Sequence, residues 1–167
     1  MMMYCLDVHY RAAGAVAGAA GFARWDDASA SSLTVVAIPA GRVAAYVPGE
    51  LYRRELPCLL AVVAKLPEPP ALLVIDGYVW LGDGSRPGLG AHLFEALDGR
   101  VPVVGVAKAK FRAAIAADVL RGRSRRPLHV TAAGLAWADA AAAVASMHGR
   151  HRIPTLLQRV DRLCRDA

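Results

Sequence analysis

The sequence predicts an α/β fold: a mixed five-stranded sheet, laid down as a three-stranded meander and then crossover helices, with helices on both faces. Three observations carry this. Ala71–Ile75 is a short, wholly apolar run with β-branched residues, the pattern of a strand buried on both faces. Residues 3–39 contain three strand-like runs separated by turn-forming residues, with no helical periodicity between them. From Glu50 onward, helical spacing and apolar strands alternate, as crossover units require. At 167 residues the chain is expected to form one domain and to bury roughly 70% of its unfolded surface.

The elements follow in order. Residues 3–10 form the first strand, in which Asp7 is the only acid. Residues 12–23 are small and glycine-rich. Their alanines allow a helix, but three glycines inside one are unfavourable by about 1 kcal/mol each, so a close-packed second strand is expected. Arg24–Ser32, with Asp26, Asp27 and its serines, is a turn, and Leu33–Pro39 is the third strand. Tyr46-Val47-Pro48-Gly49 is a loop with strong turn chemistry. Leu51, Leu56, Leu59, Leu60, Val63 and Leu66 recur at helical spacing, with Pro57 expected in the first turn, where proline is tolerated. Glu55 then stands at or just before the helix start. Strand four runs into Asp76 and Gly77. Tyr78–Pro87 is a loop, Gly88–Leu97 a short helix with His92, and Pro102–Ala107 a fifth strand ending at Lys108. Val119–Thr131, with Arg121, Arg123, Arg125 and Arg126, reads as a basic hairpin or ribbon. Ala132–His148 is an alanine-rich helix, and Arg152–Arg165 an amphipathic segment holding Asp161. This order is the ribonuclease H-like plan.

Composition narrows the function. The net charge is +6, which favours a polyanionic partner such as nucleic acid. Cys5, Cys58 and Cys164 are odd in number and widely spaced, which fits neither a disulfide frame nor a zinc site. No apolar run approaches the ~20 residues of a membrane span. Met1–Tyr10 has no basic start or small-residue cleavage site, so a cytoplasmic protein with no membrane partner is expected; a monomer is expected as well.

Asp76 ends a buried strand, and Asp7 lies inside another. A carboxylate in such a place is unfavourable unless it is paired or binds a cation, and sites in open α/β sheets lie at the carboxyl ends of strands. Two such acids in a basic protein suggest a divalent-metal site acting on phosphates. Mg²⁺ takes oxygen ligands, so carboxylates without a Cys/His cluster fit it. Each residue also has a plainer reading. Asp76 can open a turn, Glu55 can serve a helix N-terminus, and Asp161 can pair with nearby arginines. Lys108 can be a solvent-facing strand end, and Tyr46 an ordinary loop aromatic. His92 can be a satisfied helix histidine, and the Arg121–Arg126 run a solvated turn.

Seven pieces in a fixed order carry a family resemblance. They are Asp-Val-His-Tyr-Arg (7–11), Tyr-Val-Pro-Gly (46–49), Arg-Glu-Leu-Pro (54–57), Val-Ile-Asp-Gly (74–77), Gly-Leu-Gly-Ala-His-Leu (88–93), Gly-Val-Ala-Lys (105–108) and Arg-Val-Asp-Arg (159–162). In these the chain resembles endonuclease V, a deoxyinosine-directed nuclease of the ribonuclease H-like fold. The resemblance implies that Asp7, Asp76 and Glu55 hold Mg²⁺, with Mn²⁺ able to substitute, and that Asp161 borders the metal. It makes Asp7, Glu55, Asp76 and Lys108 the catalytic set, Lys108 neutralising charge at the scissile phosphate. Tyr46, Val47, Pro48 and Gly49 would form the wedge that fills the gap left by a flipped base, and Gly49, Leu51, Gly77 and Leu89 the base pocket. His92, Arg121 and Arg123 are possible further contacts.

The implied activity is Mg²⁺-dependent hydrolysis on the 3′ side of inosine in DNA, and by extension RNA. The chain departs from the family in three places. Asp7 stands almost at the start, where the family has a longer N-terminal helical segment. The family's Asp-Gly-His-Gly and the nearby His-Pro-Arg are replaced by Asp-Gly-Tyr-Val-Trp-Leu-Gly-Asp-Gly-Ser-Arg-Pro (76–87). The C-terminal segment reads Pro-Thr-Leu-Leu-Gln-Arg (154–159). The alternatives are a ribonuclease H-like nuclease with another target, or a nucleic-acid-binding module without turnover.

Overall fold

The computed structural model describes residues 1–167. Strands β1 (Met2–Arg11), β2 (Gly14–Phe22) and β3 (Ser32–Pro39) form the meander. Helix α1 (Tyr52–Val63) crosses to β4 (Pro70–Asp76). A short hairpin, β5 (Trp80–Leu81) and β6 (Arg86–Pro87), precedes α2 (Leu89–Ala96). There follow β7 (Val103–Ala107), β8 (Ala117–Val119), β9 (Leu128–Ala133), α3 (Trp137–Ser146) and α4 (Thr155–Asp166). The main sheet has the order β3-β2-β1-β4-β7-β9-β8. β4 runs parallel to β1 and to β7, and the other pairings are antiparallel.

The mixed sheet with helices on both faces is as the sequence predicts, but it has seven strands, not five. The expected basic hairpin is present, with β8 and β9 as antiparallel arms on either side of the Arg121–Arg126 turn, and β9 is buried throughout against β7. The expected helix from Ala132 begins only at Trp137, because Ala132 and Ala133 complete β9. Alanine's preference for helix is weak enough for sheet pairing to override it. The Tyr78–Pro87 loop contains the β5–β6 hairpin. Pro57 lies in the second turn of α1, after a first turn that already contains Glu55.

Strand alternation sorts the core into two layers. Cys5, Val74, Val104 and Val106 face α3 and α4. Tyr4, Leu6, Leu73 and Ile75 face α1 and α2. The small residues of β2 serve close approach. Gly18 pairs with Asp7, and a β-carbon on Gly18 would stand 2.6 Å from Cys164 Sγ of α4. Arg11 then fastens the end of α4 by donating to the carbonyls of Cys164 (3.1 Å) and Arg165 (2.6 Å), a cation at a helix C-terminus. No helix is long and apolar enough to cross a membrane, and all three cysteines are buried free thiols.

Candidate active site at the carboxyl end of β4

The parallel register pairs Cys5 with Val74 and Leu6 with Ile75. One step further, Asp7 comes level with Asp76. β7 pairs Val106 with Asp76, so Lys108, two residues on, shares their face. Lys108 Nζ donates to Asp76 Oδ2 at 2.7 Å. Asp161 of α4 borders the same pocket, which is lined also by Leu6, Val106 and Ile153. Its volume is about 10 Å³, room for one water-sized species.

Glu55 reaches the site from α1, on the other side of the sheet. Burial pushes its carboxyl up to about 7, and the charges of Asp7 and Asp76 push the same way. Asp7 is pushed up to about 6, first by burial and then by Asp76 and Asp161, with Lys108 opposing. Burial and neighbouring carboxylates thus raise both Asp7 and Glu55, and with one lysine beside them the site is short of positive charge. All the donors are carboxylate oxygens, which suits a hard divalent cation. Asp7, Glu55 and Asp76 could hold one. No three of these side chains stand together at ligating distance; Asp76 is engaged by Lys108, and Asp161 by Arg165 Nε at 3.0 Å.

Two glycines shape the end of β4. Gly77 has φ +131°, a conformation that side-chain-bearing residues rarely adopt. A β-carbon on Gly105 would collide with the Gly77 carbonyl. The chain therefore folds back over β7, and the Val79 amide donates to Thr131 Oγ1 at 2.8 Å. Behind Glu55, the Arg54 guanidinium lies 3.9 Å from the Tyr10 ring centroid.

The remaining predicted residues divide. Val47–Glu50 closes a turn, Glu50 N donating to Val47 O at 3.0 Å. Pro48 and Gly49 (φ +78°) occupy its centre, the type II pattern. Tyr46, Val47 and Leu51 are all substantially exposed there. His92 stacks on Tyr52, ring centroids 3.8 Å apart. That contact joins α1 to α2 and brings the Leu51 end of α1 toward the Leu89 end of α2. Leu89 itself packs at the edge of the α1–α2 core. Arg121 is not a solvated contact: it is buried and donates to the carbonyls of Met147, Gly149 (3.1 Å), His151 (2.9 Å) and Arg152 (3.2 Å). Arg123 is exposed, in an open cleft with Ser124, Arg150, His151 and Arg152.

Two residues that sequence reasoning passed over support the site. Arg152 donates to the carbonyls of Lys108, Arg126 (2.9 Å) and Pro127 (2.9 Å), so it holds the strand end that carries Lys108. Tyr78 Oη accepts from the Phe111 amide and donates to the Ala109 carbonyl, both at 3.1 Å. The tyrosine's place directly after Asp76-Gly77 was a signal for it, and Arg152 had none.

The family model for endonuclease V matches residues 2–143. An endonuclease V of Streptomyces avermitilis is 34% identical over 163 residues, spanning 84% of this chain and 70% of that protein. One of Streptomyces coelicolor is 44% identical over 86 residues, spanning 51% of this chain and 36% of that protein. Among solved structures, an endonuclease V from S. avermitilis superposes with a TM-score of 0.80 at 29% identity, covering 99% of this chain and 80% of that one. An endonuclease V from Ciona intestinalis, crystallised with a 24mer DNA containing an inosine, shares the fold with a TM-score of 0.80 at 18% identity, covering 99% of this chain and 84% of that one. The chain belongs to the endonuclease V family.

Proposed function

We propose that this chain is a Mg²⁺-dependent endonuclease that cuts a phosphodiester on the 3′ side of inosine in DNA or RNA, with Mn²⁺ able to replace Mg²⁺. The observation that carries the reading is the meeting of Asp7, Asp76 and Lys108 on one face of adjacent strands, where β4 and β7 end beside the middle of β1, with the charge of Glu55 felt from α1. Asp7, Glu55 and Asp76 would hold the ion, with Asp161 beside them. Bound there, it supplies charge relief on the phosphate and activation of a water.

The chain's own groups do the rest. Lys108 Nζ, which now donates to Asp76, donates to a non-bridging phosphate oxygen when substrate arrives. The water oxygen bonds to phosphorus, the P–O3′ bond breaks, and the leaving oxygen takes a proton. The products are a 3′-hydroxyl and a 5′-phosphate. The exposed Tyr46–Gly49 turn enters the gap of an extruded base. Unstacking a base is unfavourable by about a few kcal/mol, and a rigid apolar insert offsets part of that. Gly49, Leu51, Gly77 and Leu89 would receive the base. The inosine-containing DNA bound to the Ciona relative supports this choice of lesion.

The test is cleavage of labelled single- and double-stranded DNA and RNA carrying one inosine, in Mg²⁺ and in EDTA. Metal-dependent cutting at a fixed position 3′ of inosine is expected. Cutting without regard to inosine would retain the metal site and remove the lesion claim. Binding with no cutting under any metal would leave a non-catalytic module.

A further inference from the structure

Phe111 is an exposed aromatic three residues beyond Lys108. A single exposed aromatic is ordinary, but this one is held in place. Tyr78 grips the backbone on both sides of Lys110, taking the Phe111 amide and giving to the Ala109 carbonyl. The Tyr78 and Phe111 rings meet edge-on, centroids 6.4 Å apart at 61°. Arg86, from β6, places its guanidinium carbon 5.8 Å from the Phe111 centroid. The far end of the loop is tied by Ile115 N to Gly82 O at 2.8 Å. Residues 108–116 contain Lys108, Lys110 and Arg112 and no acid.

The loop therefore presents an aromatic face amid positive charge, next to the lysine assigned to the scissile phosphate. A basic surface with a fixed aromatic ring is the chemistry that binds a nucleotide, phosphate to cation and base to ring. We propose that Phe111, held by Tyr78 and flanked by Arg86, is a stacking platform for the nucleobase adjacent to the scissile phosphate. The lesion base itself would be handled elsewhere, by the Tyr46–Gly49 turn and its pocket. This inference rests on the endonuclease reading above.

The test is a binding cycle between Phe111 and the bases of a labelled single-stranded DNA with one inosine, read by fluorescence anisotropy in EDTA. The nucleotides flanking the expected cut are replaced one at a time by abasic residues. Phe111→Ala should weaken binding of the unmodified strand by about tenfold, while Phe111→Trp should stay close to wild type. One abasic position should reproduce that loss in the wild type and add nothing in Phe111→Ala. Tyr78→Phe keeps the ring but removes both hydrogen bonds, so it should shrink the same coupling without changing the response to the other positions. Equal losses in wild type and Phe111→Ala at every abasic position would overturn the platform while leaving inosine-dependent cleavage by the wild type intact. Failure of the wild type both to bind and to cut the inosine strand would instead overturn the endonuclease reading, and the platform with it.

Discussion

The acid cluster at the carboxyl end of β4, beside the middle of β1, and the Tyr46–Leu51 turn are built on opposite principles. At the strand ends, side-chain positions follow from sheet register. Asp7, Asp76 and Lys108 share a face because their strands pair as they do, and Gly18 lets α4 close over them. In the turn, Tyr46, Val47 and Leu51 stand exposed, and one hydrogen bond across Pro48 and Gly49 sets the backbone. A charge cluster needs fixed neighbours, because its raised pKa values are unfavourable for folding and only surrounding packing can hold it. A wedge needs free apolar surface, so it cannot be packed. Substitutions in the first region should thus act on chemistry and stability together, and those in the second on recognition alone.

The largest effect is expected at the strand ends. Asp7→Asn and Asp76→Asn should each lower metal-dependent cleavage by about a thousandfold, since several kcal/mol of charge stabilisation is lost. Single-turnover rates on an inosine oligonucleotide measure this. Rates within a few-fold of wild type would mean that the acids only shape the sheet end.

The same region should carry a pH signature. Asp7 and Glu55 have folded-state pKa values of about 6 and about 7, above their ordinary values near 4. Between those limits the folded state binds more protons than the unfolded state. The stability that protonation confers is therefore complete below about pH 4 and lost as pH rises through 6 to 7. Metal-free protein should be less stable at pH 8 than at pH 5 with respect to these groups. Glu55→Gln should recover about 1–3 kcal/mol at pH 8 and little at pH 5. Denaturant melts at the two pH values test it, and a Glu55→Gln gain independent of pH would contradict the charge account. Because the cation needs ionised ligands, its binding should weaken over the same interval as pH falls.

How much of this was legible in the sequence depended on whether a residue was alone in its surroundings. Asp7 and Asp76 could be read because each is a single acid in an apolar strand, and Glu55 because it opens a helical pattern. The meander and the β4 and β7 strands could be read from periodicity. β9 could be read only as far as Thr131, as the second arm of the hairpin: Ala132 and Ala133 open an alanine-rich run, and only pairing with β7 decides between strand and helix there. Nor could the arginines be told apart. Arg121 and Arg123 are separated by one glycine, yet one is buried among four carbonyls and the other is in solvent. Local sequence has no term for that, because the carbonyls come from residues 147–152. Tyr78 was visible as a substitution, but its partners at 109 and 111 follow only from the fold.

The arginine pair sharpens the contrast between packed and free positions. Arg121→Met should destabilise the protein by about 2–4 kcal/mol, since it strips charged donors from buried carbonyls. Arg123→Ala should change stability by no more than about 0.5 kcal/mol. If Arg123 meets phosphate, its loss should also lower the slope of log affinity against log salt by about one. An unchanged salt slope would confine Arg123 to the solvated surface.

The turn provides the smallest expected effect. Tyr46→Ala removes an exposed ring, so the thermal midpoint should stay within about a degree or two of wild type. Cleavage of inosine-containing duplex should fall about tenfold, the share of unstacking that one inserted ring offsets. Single-stranded substrate should be cut at nearly the wild-type rate, because no duplex stack has to be opened. Equal losses on both substrates would make Tyr46 a general contact, not a wedge. A fall in thermal midpoint with no change in cleavage would show that Tyr46 packs after all, and the division between a packed charge site and a free apolar turn would fail at the residue that best represents it.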